Sequence, residues 1–149
     1  MLFAVNTTGM TATNLFEVGT VFVPVSDQER SLSFYVEKLG FEKRSDFVYG
    51  GDHRWIEVCP PGSTNSISLV PPSEGRSVGG DEAYCAFATT DIQADHKTLK
   101  DNGVEVEAIA SEGSSRTGLI SLASAVHNPV PAQFFFRDQD RNRFLVVQP

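Results

Sequence analysis

The stretch Thr20-Val-Phe-Val-Pro-Val-Ser-Asp-Gln-Glu-Arg-Ser31 decides the fold of this chain, because Tyr84-Cys-Ala-Phe-Ala-Thr-Thr-Asp-Ile-Gln93 repeats its pattern. In each copy an apolar strand runs into an aspartate, and an amphipathic helix follows. The aspartates, Asp27 and Asp91, lie 64 positions apart. The repetition predicts two related βα units within one domain.

Both helix starts match the capping box S/T-x-x-E/Q, with Ser26 paired to Glu29 and Thr90 paired to Gln93. In this motif the first residue caps the helix, and its side chain satisfies backbone N–H groups that have no partner within the helix. The capping box therefore points to Ser26 and Thr90 as the N-caps, and the neighbouring Asp27 and Asp91 are the alternative caps.

A glycine follows each helical pattern, Gly40 in the first copy and Gly103 in the second. Glycine is common there because it adopts the left-handed conformation that ends a helix. Three strand-like segments then follow in each copy, so each copy reads βαβββ. These segments are residues 41–47, 54–58 and 66–70 in the first copy, and residues 104–109, 133–137 and 143–147 in the second.

The composition fits one soluble domain with a hydrophobic core, since 40% of the 149 residues are hydrophobic and 21% are charged. The formal net charge of −7 disfavours a nucleic acid or an anionic membrane as partner, because like charges repel. An acidic surface tolerates cationic small molecules, and the alternative is that it serves solubility alone. Cys59 and Cys85 lie in apolar runs without a CxxC pair, which disfavours a disulfide or a thiolate metal site.

Domain boundaries follow from periodicity and turn composition. Residues 1–14 carry no periodic pattern and are expected to form a flexible arm, and residues 15–149 form one domain. Its modules span about residues 15–72 and 82–148, joined by a linker rich in Pro, Gly and Ser. The first residues lack a signal-peptide pattern, and no apolar run is long enough to span a membrane, so a cytoplasmic location is expected.

Several phrases together resemble the vicinal oxygen chelate superfamily of glyoxalases, bleomycin-resistance proteins and extradiol dioxygenases. The resemblance covers about residues 16–148 and implies an α+β fold, in which tandem βαβββ modules form a cupped mixed sheet around a small-molecule cavity. It also implies a homodimer. The phrases are Val25-Ser-Asp-Gln-Glu-Arg-Ser31 with Phe34-Tyr35, Leu39-Gly-Phe41, Arg54-Trp-Ile-Glu-Val58, Thr90-Asp-Ile92 with Gly103-Val104, and Phe136-Arg-Asp-Gln-Asp-Arg-Asn142. The last is similar to the family turn Phe-x-Asp-Pro-Asp-Gly-Asn, with its Pro and Gly replaced.

The metalloenzymes of that superfamily use four ligands, which are typically His, Glu or Gln on the first and last strands of each module. In this sequence the matching positions are Thr20, Ser68, Tyr84 and Leu145. None carries an imidazole or a carboxylate, which divalent ions prefer as ligands. The resemblance therefore implies a cavity without a metal or other cofactor.

Glu57 is the carboxylate of most interest, because it lies two residues from Trp55 and shares a strand face with it. If that face lines the cavity, an aromatic wall beside a negative charge suits a cationic or hydrogen-bonding planar ligand. The alternative is that Trp55 and Glu57 lie at a rim or a dimer contact. The predicted ligand-binding residues are Thr20, Phe22, Trp55, Glu57, Ser68, Tyr84 and Leu145.

Two functions remain open at this point. The first is metal-free binding that sequesters a small molecule, as in the bleomycin-resistance proteins. The second is a glyoxalase-type lyase, isomerase or dioxygenase, which would use a metal held by His53, Glu57 or His127, or acid/base chemistry by Tyr84 or Glu57. His127 lies in a long segment, residues 112–131, for which a lid over the site is one interpretation.

Overall fold

The computed structural model describes residues 12–73, 77–110 and 131–149. Most of the predicted arm, the predicted lid segment and His127 lie outside this part of the chain. The elements, in chain order, are β1 (Thr20–Pro24), α1 (Gln28–Ser33, continued by a π-helical turn, Phe34–Lys38), β2 (Glu42–Tyr49), β3 (His53–Cys59), β4 (Ser66–Val70), β5 (Ala83–Ala88), α2 (Ile92–Asp101), β6 (Glu105–Val106), β7 (Ala132–Arg137) and β8 (Arg143–Gln148).

The strands form two four-stranded mixed sheets of the same topology, in the order β1-β4-β3-β2 and β5-β8-β7-β6. In each sheet the first strand pairs in parallel with the last strand of its module, and the remaining pairs are antiparallel. The α+β fold of two βαβββ modules is therefore confirmed. Among the described residues, none of the helices combines the length and apolar character needed to cross a membrane.

Two local predictions were wrong in detail. The N-caps are Asp27 and Asp91, whose carboxylates accept from the N–H groups of Arg30 and Ala94, so each cap lies one residue later than the capping box predicts. The strand predicted over residues 104–109 is only two residues long, and pairing resumes at a single bridge beyond it. Gly40 and Gly103 do adopt the left-handed conformation, at φ 72° and 82°.

One hydrophobic core lies between the sheets and the helices, and it includes side chains of both modules. Side chains alternate between the two faces of a strand, so alternate residues of β3, β4, β7 and β8 enter this core. The members from the first sheet are Val23, Ile56, Val58, Ile67 and Leu69, and those from the second are Phe134, Phe136, Phe144 and Val146. The opposite face of the first sheet carries Thr20, Phe22, Trp55, Glu57 and Ser68, which alternate with these core residues, and we call it the open face.

Candidate functional site

The open face of the first sheet brings together five of the seven predicted ligand-binding residues. They come from β1, β3 and β4, at positions that alternate with the core residues. These five residues are Thr20, Phe22, Trp55, Glu57 and Ser68. Ser68 is fully buried among them, whereas Phe22 is 48% exposed and the other three are partly exposed.

A chain of hydrogen bonds ends at the carboxylate of Glu57. The hydroxyls of Thr20 and Ser68 lie 2.7 Å apart, and the Ser66 hydroxyl lies 2.9 Å from that of Thr20. Ser66 also donates to Glu57 Oε1 at 2.5 Å, and the indole N–H of Trp55 donates to Glu57 Oε2 at 3.0 Å. These bonds fix the orientation of both the carboxylate and the indole ring.

The same donors keep Glu57 ionised. The hydrogen bond from Ser66 is the largest cause that lowers the pKa of Glu57 below its ordinary value, with smaller contributions from Trp55, Ser45 and the charge of Arg44, and partial burial opposes them. A carboxylate with a lowered pKa is a weak base near neutral pH, so it is poorly suited to acid/base catalysis. It is well suited to hold a cation or an N–H donor.

Aromatic rings lie beside the Trp55 indole on the open face. The Phe22 and Trp55 rings meet edge to face at 5.9 Å, and Tyr49 meets Trp55 at 6.5 Å. Phe47 lies 6.4 Å from Tyr49 and is 53% exposed. An exposed cluster of large apolar side chains usually marks a surface that binds something.

Sequence reasoning missed Phe47 and Tyr49, although the signal was present. β2 runs antiparallel to β3, and the register pairs Phe47 with Trp55 and Ser45 with Glu57. Residues directly opposite on neighbouring strands point to the same face. The alternation of Ser45, Phe47 and Tyr49 therefore continues the Trp55 surface, but only the pairing register shows it.

The second module contributes less to an accessible site. Leu145 pairs with Ala86 and Phe135 and is only 4% exposed. Tyr84 precedes Ala86 at a register shift in β5, and its ring packs 6.0 Å from the core residue Phe144. The structure therefore places neither side chain among the five of the open face, and their contact with a ligand stays a prediction.

The residues at the family's metal positions do not fit a metal ion. Thr20 and Ser68 offer hydroxyls that already bond to each other, and Leu145 offers no donor. His53 and Glu57 lie on one face of β3 but about 13 Å apart along the strand, which is too far to bind one ion. Within the described ranges, no three His, Cys, Asp or Glu side chains are grouped so that they could hold a metal.

Comparisons with known proteins agree with this fold. The sequence profile of the Glyoxalase/Bleomycin resistance protein/Dioxygenase superfamily matches residues 17–146. The chain is 33% identical to YetH of Bacillus subtilis (strain 168) over 89 residues, which are 60% of this chain and 74% of YetH.

Two solved structures are similar over most of their length. TnmS3, an antibiotic binding protein from Streptomyces sp. CB03234, is 30% identical, with a TM-score of 0.72 over 93% of this chain and 99% of TnmS3. A member of the same superfamily from Sphaerobacter thermophilus is 29% identical, with a TM-score of 0.71 over 91% of this chain and 98% of its own.

Proposed function

This chain belongs to the Glyoxalase/Bleomycin resistance protein/Dioxygenase superfamily, and we propose that it binds a planar aromatic cation on the open face without a metal. The observation that carries the proposal is the ionised carboxylate of Glu57, held in place by Ser66 and Trp55 beside exposed aromatic rings. The function is sequestration of a small molecule. No reaction is required of the site.

On the open face, the exposed aromatic rings supply affinity, and the carboxylate of Glu57 supplies orientation. Covering Phe22, Phe47 and Tyr49 removes apolar surface from water, which contributes about 25 cal/mol per Å² of that surface. A cationic ring nitrogen or amine gains a charge-assisted contact with Glu57 and a cation–π contact with Trp55. An anion of the same shape would meet the repulsion of Glu57.

The similarity to TnmS3 supports binding rather than catalysis, since that protein is an antibiotic binding protein and spans nearly the whole of this chain. The lowered pKa of Glu57 argues against acid/base catalysis by that residue. A homodimer in the cytoplasm remains part of the proposal. Exposed apolar side chains before and along the first sheet support a second copy as partner, among them Leu15, Phe16 and Val18.

Trp55 provides the measurement that tests the proposal, because it is the single tryptophan of the chain. Ethidium, a planar cation, should quench the fluorescence of Trp55 in a saturable way, and 1-naphthalenesulfonate, a planar anion, should bind at least about tenfold more weakly. Glu57→Gln should weaken ethidium binding about tenfold, by loss of the charge-assisted contact. Because the pKa of Glu57 is lowered, ethidium affinity should persist to mildly acidic pH.

The matched control is Asp52→Asn, which removes an exposed carboxylate in the turn between β2 and β3. It changes the net charge as Glu57→Gln does, so it should leave the affinity nearly unchanged. Equal weakening by both variants would show that only net charge attracts the dye, and would refute the role of Glu57. Stoichiometric retention of nickel, zinc, iron or manganese after desalting would instead favour the metalloenzyme.

A further inference from the structure

The two modules do not fill the space under their helices equally. When the two modules are aligned on Asp27 and Asp91, Tyr35 corresponds to Leu99 and Phe34 corresponds to Thr98. In the first module, the Phe34 and Tyr35 rings pack edge to face at 5.4 Å, and they are 8% and 0% exposed. In the second module neither equivalent position carries a ring.

The hydrogen bond that holds the Tyr35 ring in the first module also has no equivalent in the second module. Tyr35 donates its hydroxyl to Asp138 at 2.7 Å, in the turn between β7 and β8. The pairing of Phe22 with Ser68 and of Ala86 with Leu145 makes the turn before β4 equivalent to that turn. Pro61 then stands where Asp138 stands, and a proline side chain cannot accept a hydrogen bond.

A cavity of about 310 Å³ lies where these groups are missing, on the helix side of the second sheet and away from the open face. Thr98, Leu99 and Pro61 all line it, so the shorter side chains at the equivalent positions account for the space. Its other walls include three phenylalanine rings, Phe41, Phe87 and Phe136. Phe87 lies 5.4 Å from Phe41 and 6.1 Å from Phe136, so the rings form a continuous aromatic wall.

The charged groups around this cavity are already engaged by the protein. Lys38 Nζ donates to the carbonyl of Asn102 at 2.8 Å, and Asp95 accepts from the hydroxyl of Thr89. A ligand therefore meets mainly apolar surface. Apolar cavities take up aromatic molecules such as benzene, and a volume near 300 Å³ is at the lower end of the range for ligand pockets.

We propose that this cavity is a second ligand site, which binds an uncharged one-ring or two-ring aromatic molecule in place of the missing Phe and Tyr rings. The proposal goes beyond the function of the open face and does not depend on it. The chemistry of the occupant follows from the first module, where a phenyl ring and a phenol ring fill the equivalent space. Neither a cation nor an anion is favoured there.

The test uses toluene and p-cresol, which reproduce the side chains of Phe and Tyr. Each should bind the unsubstituted protein, and the amide chemical-shift changes should centre on Thr89, Thr98 and Leu99. Thr98→Phe restores the ring of the first module and should weaken binding of both probes by about tenfold or more, by filling the cavity. Lys100→Phe, an exposed position on the same helix that does not line the cavity, is the matched control and should change binding less than about twofold.

Two results would overturn the proposal. One is equal affinity of the Thr98→Phe and Lys100→Phe variants for p-cresol. The other is a set of shift changes confined to Phe22, Phe47 and Trp55, since the probes would then occupy the open face. The shift map uses the unsubstituted protein, so it decides the question even if Thr98→Phe fails to fold.

Discussion

Arg141 has a backbone conformation that its side chain disfavours, with φ at 65° in the turn between β7 and β8. Among the described residues it is the only one other than glycine with positive φ. The corresponding position of the family turn is a glycine, which adopts this conformation at no steric cost. Four hydrogen bonds onto Asp138, from Tyr35, Asp140 and Asn142, hold the turn in this shape.

Replacing Arg141 should therefore reveal the cost of the left-handed backbone. Arg141→Asn and Arg141→Ala both lose the exposed ion pair with Glu105, which contributes little. Asparagine tolerates positive φ better than alanine, so the Asn variant should be more stable by about 0.5–1 kcal/mol. Urea unfolding measures the difference, and equal stabilities would mean that the turn imposes no strain.

Side-chain hydrogen bonds to the backbone also decide at which residue each helix begins. The sequence offers two candidate caps side by side, Thr90 and Asp91 in the second module. The structure uses the aspartate, whose Oδ1 accepts from the N–H of Ala94 at 3.1 Å, while the Thr89 hydroxyl accepts from the N–H of Asp91. A carboxylate also interacts favourably with the positive end of the helix, which a hydroxyl does not.

The cap assignment predicts different effects of two neighbouring substitutions. Asp91→Ala should lower the free energy of unfolding by about 1 kcal/mol, because the N–H of Ala94 loses its acceptor. Thr90→Ala, at an exposed position, should change it by less than about 0.5 kcal/mol. Thermal unfolding of the two variants measures both effects, and a larger loss for Thr90→Ala would restore the capping-box assignment.

Across the whole molecule, buried polar contacts join the modules. Tyr35 in the first module bonds Asp138 in the second, and Asn142 Nδ2 donates to the carbonyl of Pro24 at 2.8 Å. Burial raises the pKa of Asp138 above its ordinary value, and the bonds from Tyr35 and Asn142 partly oppose that shift. Burial also raises the pKa of the Tyr35 hydroxyl, so it stays protonated and donates.

Tyr35→Phe should destabilise the protein by about 1–3 kcal/mol, because a buried carboxylate loses a donor. An acid whose pKa is raised in the folded state contributes most to the free energy of unfolding when the pH is below its ordinary pKa. This contribution falls as the pH rises. Removing the Tyr35 hydroxyl raises the pKa of Asp138 further. Tyr35→Phe should therefore lower the free energy of unfolding more at about pH 7 than at about pH 5.

Urea unfolding at the two pH values measures this dependence. The control is the same substitution in an Asp138→Asn background, where no carboxylate titrates and the two losses should agree. A loss in the Asp138 protein that does not change with pH would contradict the electrostatic role of the hydroxyl.

The sequence by itself determined the repeated βαβββ order of elements and the helix ends at Gly40 and Gly103. It also placed Trp55 and Glu57 on one face of a strand opposite the core residues Ile56 and Val58. These features follow from local periodicity and backbone preference, which neighbouring residues alone dictate.

Only the tertiary structure decided which predicted residues meet. Strand register places Phe47 and Tyr49 beside Trp55. In β5 the register shifts between Ala83 and Ala86, and the Tyr84 ring packs against Phe144. Register and packing depend on contacts between segments far apart in the chain. Local pattern does not encode those contacts, and for the same reason it did not show the cavity beside Thr98.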